Sequence, residues 1–363
     1  MWNKYCVSIY NNQKNDYEKI ENYIMLANKY CCDEIFTSAH VPENGLDEQF
    51  KFIEKLSVLT HKYNMKLTVD FGGNSLYKLF NVKCNYPLLK IDNIRLDCGY
   101  DEMIMEEIEE KLGIRSFVLN ASTFGEDVLD KYCEVIIRKD YDVKACHNFY
   151  PRKESALDLD FVVNQNKLFH NKGIKVTTCV ANLNNPRGPL YMGLPTIENQ
   201  RYMNFEKALL ECTKDNVVDE ILIGDEWMSE DEFKILKTLK EDKILDLEID
   251  LKYGLSQEEK RIILNKNHSF RYDSNSYILR SETSRAMAEY ASKIDIFNTT
   301  KRNRCSITID NELYKRYSGE LQVVLKDLPQ DEKVNVVGYV REKDMYKLDY
   351  YRYGFKYHLK EGD

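Results

Sequence analysis

One pattern constrains the fold of this chain more than any other. Short apolar runs end abruptly in polar or charged residues, and helical segments lie between them. Its clearest instance is Lys144-Ala-Cys-His-Asn-Phe-Tyr-Pro-Arg152, where the run gives way to His147, Asn148 and Arg152. Ile94-Arg95-Leu96-Asp97, Val118-Leu119-Asn120 and Ile221-Leu222-Ile223-Gly224-Asp225-Glu226 repeat it. A strand tip that exchanges aliphatic side chains for imidazole, amide and guanidinium suits a polar, anionic ligand. Polar groups at the exits of buried strands predict a (β/α)8 barrel, an α/β TIM barrel, with its site at the C-terminal ends of the strands.

Strands are predicted over 5–10, 34–38, 66–70, 91–97, 116–120, 143–148, 174–181 and 220–224. Ile20, Tyr23, Ile24 and Ala27 stripe the first helix, which Asn15 and Glu18 are expected to open as a capping box. Phe50, Ile53 and Leu56 stripe the second; Ser229 and Glu232 cap the last. Eight strand–helix units thus account for a first domain over 1–243. From Leu245 to Leu251 the pattern alternates with period two, as in a half-exposed strand. A capped helix (Ser256 with Glu259) and strands over 305–309, 320–325, 333–340 and 355–359 follow. A small β-rich domain is expected over 244–363.

The length of 363 residues fits a barrel of about 250 residues plus a smaller unit. The net charge of −8 and a pI near 5.5 give no global basic bias, so neither nucleic acid nor membrane is an expected partner. An anion must then be held by a local cluster of cations and amides. Ten cysteines without a CxxC pair read as reduced thiols of a cytoplasmic protein. No metal-ligand spacing, P-loop or Rossmann fingerprint is present, so no metal or organic cofactor is expected. Met1-Trp2-Asn3-Lys4 runs straight into a predicted strand, so no signal peptide is expected, and no run reaches the ~20 apolar residues that a membrane span needs.

Several segments, in order along nearly the whole chain, resemble one family. They include Ile35-Phe-Thr-Ser38, Arg95-Leu-Asp97, Leu119-Asn-Ala-Ser122, Cys146-His-Asn-Phe-Tyr-Pro-Arg152, Arg187-Gly-Pro-Leu190 and Gly193-Leu-Pro-Thr-Ile-Glu-Asn-Gln-Arg201. Ile223-Gly-Asp225, Leu279-Arg-Ser-Glu282, Ile309-Asp-Asn311, Arg316-Tyr-Ser-Gly-Glu-Leu-Gln322 and Asn335-Val-Val-Gly338 continue the series. The family is the bacterial outer surface protein family associated with 6-phospho-N-acetylmuramidase. The resemblance implies a TIM barrel followed by a cyclophilin-like β-barrel domain. It also implies hydrolysis of the disaccharide GlcNAc-MurNAc 6-phosphate in cell-wall recycling, so the implied partner is a small phosphorylated amino sugar. Gln200 departs from the pattern, which has His there, and Cys305-Ser306 replaces a Gly-Asp pair.

Glycoside hydrolysis usually needs two carboxyl groups flanking the bond. Asp97 and Asp225 end predicted strands and are the first candidates; Glu226 follows Asp225, and Asp70 also ends a strand, so the pair is not unique. The competing role for each is a loop anchor, or a partner that fixes Arg95 or His147. His147, Asn148 and Arg152, with Arg95 and Asn120, are candidates for holding sugar hydroxyls or phosphate. Arg187, within the Gly/Pro-rich loop after strand seven, and Arg201 beyond it are the main phosphate candidates, since many barrels bind phosphate there; loop architecture alone is the competing role. Arg316 and Glu320 are the candidates in the second domain, with an ion-pair network as the competing role. Of the tyrosines, only Tyr10, Tyr150 and Tyr317 are retained as sugar-stacking candidates. A phosphosugar-binding protein without turnover, or a glycosidase for another phosphosugar, remains the alternative.

Overall fold

A computed structural model describes residues 4–12, 15–40, 45–213, 218–288, 294–351 and 355–362. It divides into two compact units, Met1–Lys240 and Glu241–Asp363. In the first, eight strands form a closed barrel: β1 (Lys4–Ser8), β2 (Glu34–Ser38), β3 (Lys66–Phe71), β4 (Asn93–Leu96), β5 (Ser116–Asn120), β6 (Asp142–Cys146), β7 (Lys175–Val180) and β8 (Glu220–Ile223). All neighbours are parallel, and β8 returns to β1 with Leu222 opposite Cys6. The helices that follow are α1 (Tyr17–Lys29), α2 (Leu46–Lys62), α3 (Ser75–Val82), α4 (Ile104–Leu112), α5 (Glu126–Lys139), α6 (Leu159–Asn171), α7 (Phe205–Glu211) and α8 (Glu230–Lys237).

The two-residue period of each strand sorts its side chains between helices and barrel axis. Ile35, Val69, Ile94, Leu119, Val176 and Ile221 are fully buried and belong to the aliphatic set. The alternate set builds three layers. At the N-terminal end, Lys144 Nζ sits between Glu34 Oε2 (2.8 Å) and Glu220 Oε2 (2.9 Å), and Thr68 donates to Glu34. Burial pushes the Lys144 ammonium down, but the two carboxylates outweigh it and hold its pKa well above the ordinary value. Above lies an apolar layer of Cys6, Phe36, Val118, Cys146, Cys179 and Leu222. The third layer, at the strand ends, is polar again and carries the site.

Two helix-to-strand joints, four units apart, are built alike. His61, in the last turn of α2, bonds Asp92 through Nε2 (2.8 Å), and Asp92 accepts the Leu67 amide of β3. His170, in the last turn of α6, bonds Asp219 (2.6 Å), which accepts the Val176 amide of β7. Each Asp immediately precedes the next strand, so one carboxylate ties a helix end to two strands.

The capping box at Ser229 and Glu232 is present, as is that at Ser256 and Glu259. The expected box at Asn15 is not: Asp16 caps α1, accepting from the amides of Glu18 and Lys19 (both 3.1 Å). Asn15 is engaged instead with Asn11 and Asn12. β6 ends at Cys146, two residues before the predicted end, because the Asn148 amide turns to Ser122 Oγ (2.9 Å).

The second unit is a seven-stranded mixed sheet of β9 (Ile244–Leu251), β10 (His268–Ser269), β11 (Ile278–Arg280), β12 (Ser306–Asp310), β13 (Leu321–Val324), β14 (Val334–Val340) and β15 (Lys356–Glu361), in the order β10-β15-β9-β14-β12-β13-β11. α9 (Gln257–Ile263) and α10 (Ser284–Met287) lie in its connections. β9 alternates as expected, burying Leu245, Leu247 and Ile249. The edge strands meet through one antiparallel bridge, Phe270 with Ser281, flanked by Arg271 N to Arg280 O (3.0 Å) and Glu282 N to Ser269 O (2.9 Å). The sheet therefore curls back on itself, which removes most of the exposed edge a flat sheet would leave. Among the described residues, no helix is long and apolar enough to cross a membrane.

Candidate active site

The strand ends of the barrel open onto a cavity of about 320 Å³. That is at the small end of the ~300–1,000 Å³ range of small-molecule sites. Phe36, Cys146 and Leu222 of the apolar layer form part of its lining; Asp70, Arg95 and Asp97 bring charge, and Arg187 joins them from the loop after β7.

Arg95 organises the charged part. On β4 its side chain points to the barrel axis, where NH1 bonds Asp70 Oδ1 (2.6 Å) and Asp97 Oδ1 (3.1 Å), and NH2 bonds Asn148 Oδ1 (2.5 Å). Its Nε is buried without a partner. Asp97 Oδ1 also accepts from Asn120 Nδ2 (3.0 Å), whereas no hydrogen bond from a described residue reaches Asp97 Oδ2. Ser38 donates to Asp70 Oδ2 (3.3 Å). Burial pushes the Asp70 carboxyl up; Arg95 opposes this and the Asp97 charge reinforces it, with a raised pKa as the net result. Two carboxyl groups in unlike environments thus share one guanidinium at the cavity.

His147 stands behind this cluster rather than in it. Nε2 bonds Asn166 Oδ1 (2.7 Å) and Nδ1 accepts from Ser122 (3.0 Å), whose oxygen accepts the Asn148 amide. Burial lowers its pKa to about 4, so the ring is neutral near pH 7. With both nitrogens engaged, the imidazole fixes Asn148, which in turn holds Arg95. Ser122 ends one of the segments that carry the resemblance but is not a site candidate in the sequence, and Asn166 gives no signal there; their part follows from where the β5 exit and α6 bring them.

Asp225 and Glu226 lie on the β8 exit. Asp225 is buried and accepts three backbone amides, those of Asn182 (2.9 Å), Arg187 (2.8 Å) and Leu194 (3.0 Å). It anchors both ends of the loop that carries Arg187. Glu226 accepts the Tyr10 amide (2.8 Å), and burial raises its pKa to about 7. The Arg187 guanidinium lies over the Tyr10 ring at 3.7 Å and has no ion-pair partner among the described residues. Tyr10 is itself buried beneath it and offers no stacking face to a sugar.

The expectation that Arg201 binds phosphate is corrected. Its Nε and NH2 pair with Glu198 (2.7 and 2.8 Å), and the remaining contacts go to the carbonyls of Met192, Gly193 and Arg152. Arg201 is fully buried and depresses the Glu198 carboxyl to about 2. Gln200 is buried too, donating to Glu211 (2.7 Å). The Arg152 side chain is exposed, and its carbonyl serves Arg201. In the second unit, Glu320 is buried and paired with Arg280 (2.5 Å) and Arg285 (3.3 Å), the ion-pair role. Arg316 stacks on Tyr317 and donates to its hydroxyl (2.8 Å). No group of three or more His, Cys, Asp or Glu able to hold a metal occurs among the described residues.

Two solved structures cover nearly all of the chain. A conserved Enterococcus faecalis protein of unknown function is 29% identical, with a TM-score of 0.76, over 99% of this chain and 96% of that one. An uncharacterized B. cereus protein is 25% identical, with a TM-score of 0.76, over 99% and 100%. No curated protein matches the chain significantly. The N-terminal domain of 6-phospho-N-acetylmuramidase matches residues 5–238 and its C-terminal domain residues 245–360. The chain belongs to the 6-phospho-N-acetylmuramidase family.

Proposed function

We propose that this protein hydrolyses the glycosidic bond between N-acetylmuramic acid 6-phosphate and N-acetylglucosamine, the disaccharide 6-phosphate of cell-wall recycling, in the cytoplasm. One observation carries the reading: Asp70 and Asp97 face the same cavity, share Arg95, and stand near an unpaired guanidinium, that of Arg187. Asp70, its pKa raised, is suited to give a proton to the leaving oxygen as the bond to the anomeric carbon breaks. Asp97, with Oδ2 unclaimed, is suited to attack or to stabilise the oxocarbenium centre, and water completes the hydrolysis. Arg187 and the exposed Arg152 are the cations for phosphate and lactyl carboxylate, Arg187 with the better placement.

The carboxylate spacing supports a stereochemical expectation. Both near oxygens contact one nitrogen, at 2.6 and 3.1 Å. The two near oxygens are therefore no further apart than the sum of those distances, short of the ~6.5–9.5 Å an inverting enzyme needs for a water and compatible with the ~5–5.5 Å of retaining enzymes. Incubation with the disaccharide 6-phosphate and with its unphosphorylated form should release monosaccharides from the former alone, with retained anomeric configuration by proton NMR. Binding without cleavage would replace the glycosidase with a phosphosugar-binding protein.

A further inference from the structure

Beside the cavity, the loop after β7 carries a run of exposed apolar residues that the site does not explain. Leu190, Tyr191 and Met192 are all solvent-facing, and Tyr191 is 67% exposed. Scattered exposed apolar residues are ordinary, whereas consecutive ones at the mouth of a pocket mark a contact surface. Tyr191 is also held in an unusual way. Its backbone is left-handed (φ 53°), a conformation that a bulky side chain rarely adopts. Its amide bonds the Arg187 carbonyl (3.1 Å), which closes the turn. The end of its ring rests on Gly188, where an added Cβ would come within 3.1 Å of Cζ and the hydroxyl oxygen. Gly188 and Pro189 both line the cavity. The strained turn and the missing side chain at Gly188 therefore set an aromatic ring against the cavity wall while leaving it open to solvent.

We propose that Tyr191 is the platform for the sugar that carries no phosphate, a subsite outside the charged cavity; the proposal rests on the glycosidase reading above. The cavity is at the small end of the ligand-site range, and its charges suit the phosphorylated, carboxylate-bearing ring. With that ring inside, the second sugar has to project past the mouth. A pyranose presents polarised C–H groups on one face, and these pack on the electron-rich face of an aromatic ring. Leu190 and Met192, its exposed neighbours in the chain, add apolar surface beside it.

Two ligands separate the platform from the cavity: the disaccharide 6-phosphate as substrate and N-acetylmuramic acid 6-phosphate as inhibitor. Tyr191→Ala should raise KM for the disaccharide by about three- to tenfold, the range of one aromatic contact, and leave the inhibition constant of the monosaccharide phosphate within about twofold. Tyr191→Phe, which keeps the ring, should behave like the parent protein with both. Equal weakening of both ligands, or an unchanged KM in Tyr191→Ala, would overturn the platform. If the parent protein does not cleave the disaccharide 6-phosphate, the glycosidase reading fails separately. Calorimetric dissociation constants of the same two ligands then test Tyr191 by the same criterion.

Discussion

At the scale of single residues, side chains of one type at equivalent strand ends do different work. Asp97 keeps one carboxylate oxygen free at the cavity, whereas Asp225 spends both on backbone amides. Asp97→Asn and Asp70→Asn should each lower kcat by ~10²–10⁴-fold, Asp97→Asn with little change in the urea midpoint and Asp70→Asn with a measurable drop, since it takes a buried partner from Arg95. Asp225→Asn should instead cost roughly 2–3 kcal/mol of stability, because an NH2 group would then face a backbone N–H. Arg187→Ala should erase the preference for phosphorylated over dephosphorylated substrate, read as the ratio of their kcat/KM values. An equal loss toward both would assign Arg187 to the loop. Glu226 makes a prediction about pH. Its folded pKa of about 7 lies above the ordinary 4.5, so the folded state binds the extra proton between those values. Stability then falls as pH rises through that window. Glu226→Gln should remove this fall, gaining on the order of 2–3 kcal/mol at pH 8 and almost nothing at pH 4, by urea unfolding at the two pH values.

At the scale of elements, the barrel is held at one end by ions and in the middle by apolar packing. Lys144 pairs with two buried carboxylates contributed by β2 and β8, so one side chain on β6 ties three strands together. Lys144→Met should cost ~3–5 kcal/mol, the penalty for leaving buried charges unpaired, and adding Glu34→Gln and Glu220→Gln should recover part of it. A loss below about 1 kcal/mol in chemical unfolding would show that water reaches the layer. Strands and capping boxes were largely legible beforehand, since apolar runs and Ser-x-x-Glu are local signals. The start of α1 was not: Asn15 and Asp16 are both good caps, and only contacts with Asn11 and Asn12 decide between them. β10 and β11, two and three residues long, are too short to show a period. Their place follows from the curl of the sheet.

At the scale of the whole molecule, the barrel could be read from sequence because a two-residue period and a helical period alternate eight times. The resemblance extended that reading to the second unit, where periodicity gave only a β-rich domain. The candidate site was legible in part. Arg95, Asp97, Asn148 and Arg187 converge on one cavity; Arg201, of the same type and in the same loop region as Arg187, is consumed by Glu198 and carbonyls. Residue type and strand-tip position identify which groups are available, but not which of them the loops use for themselves. Asp70, named only as an alternative, gains its place from Arg95, a neighbour in space on the adjoining strand. The most direct test is a crystal structure of the Asp97→Asn protein with the intact disaccharide 6-phosphate bound. The glycosidic oxygen should lie within hydrogen-bond reach of the Asp70 carboxyl, with the phosphate against Arg187. A phosphosugar bound elsewhere, with Asp70 and Asp97 both remote from the glycosidic bond, would contradict the assignment.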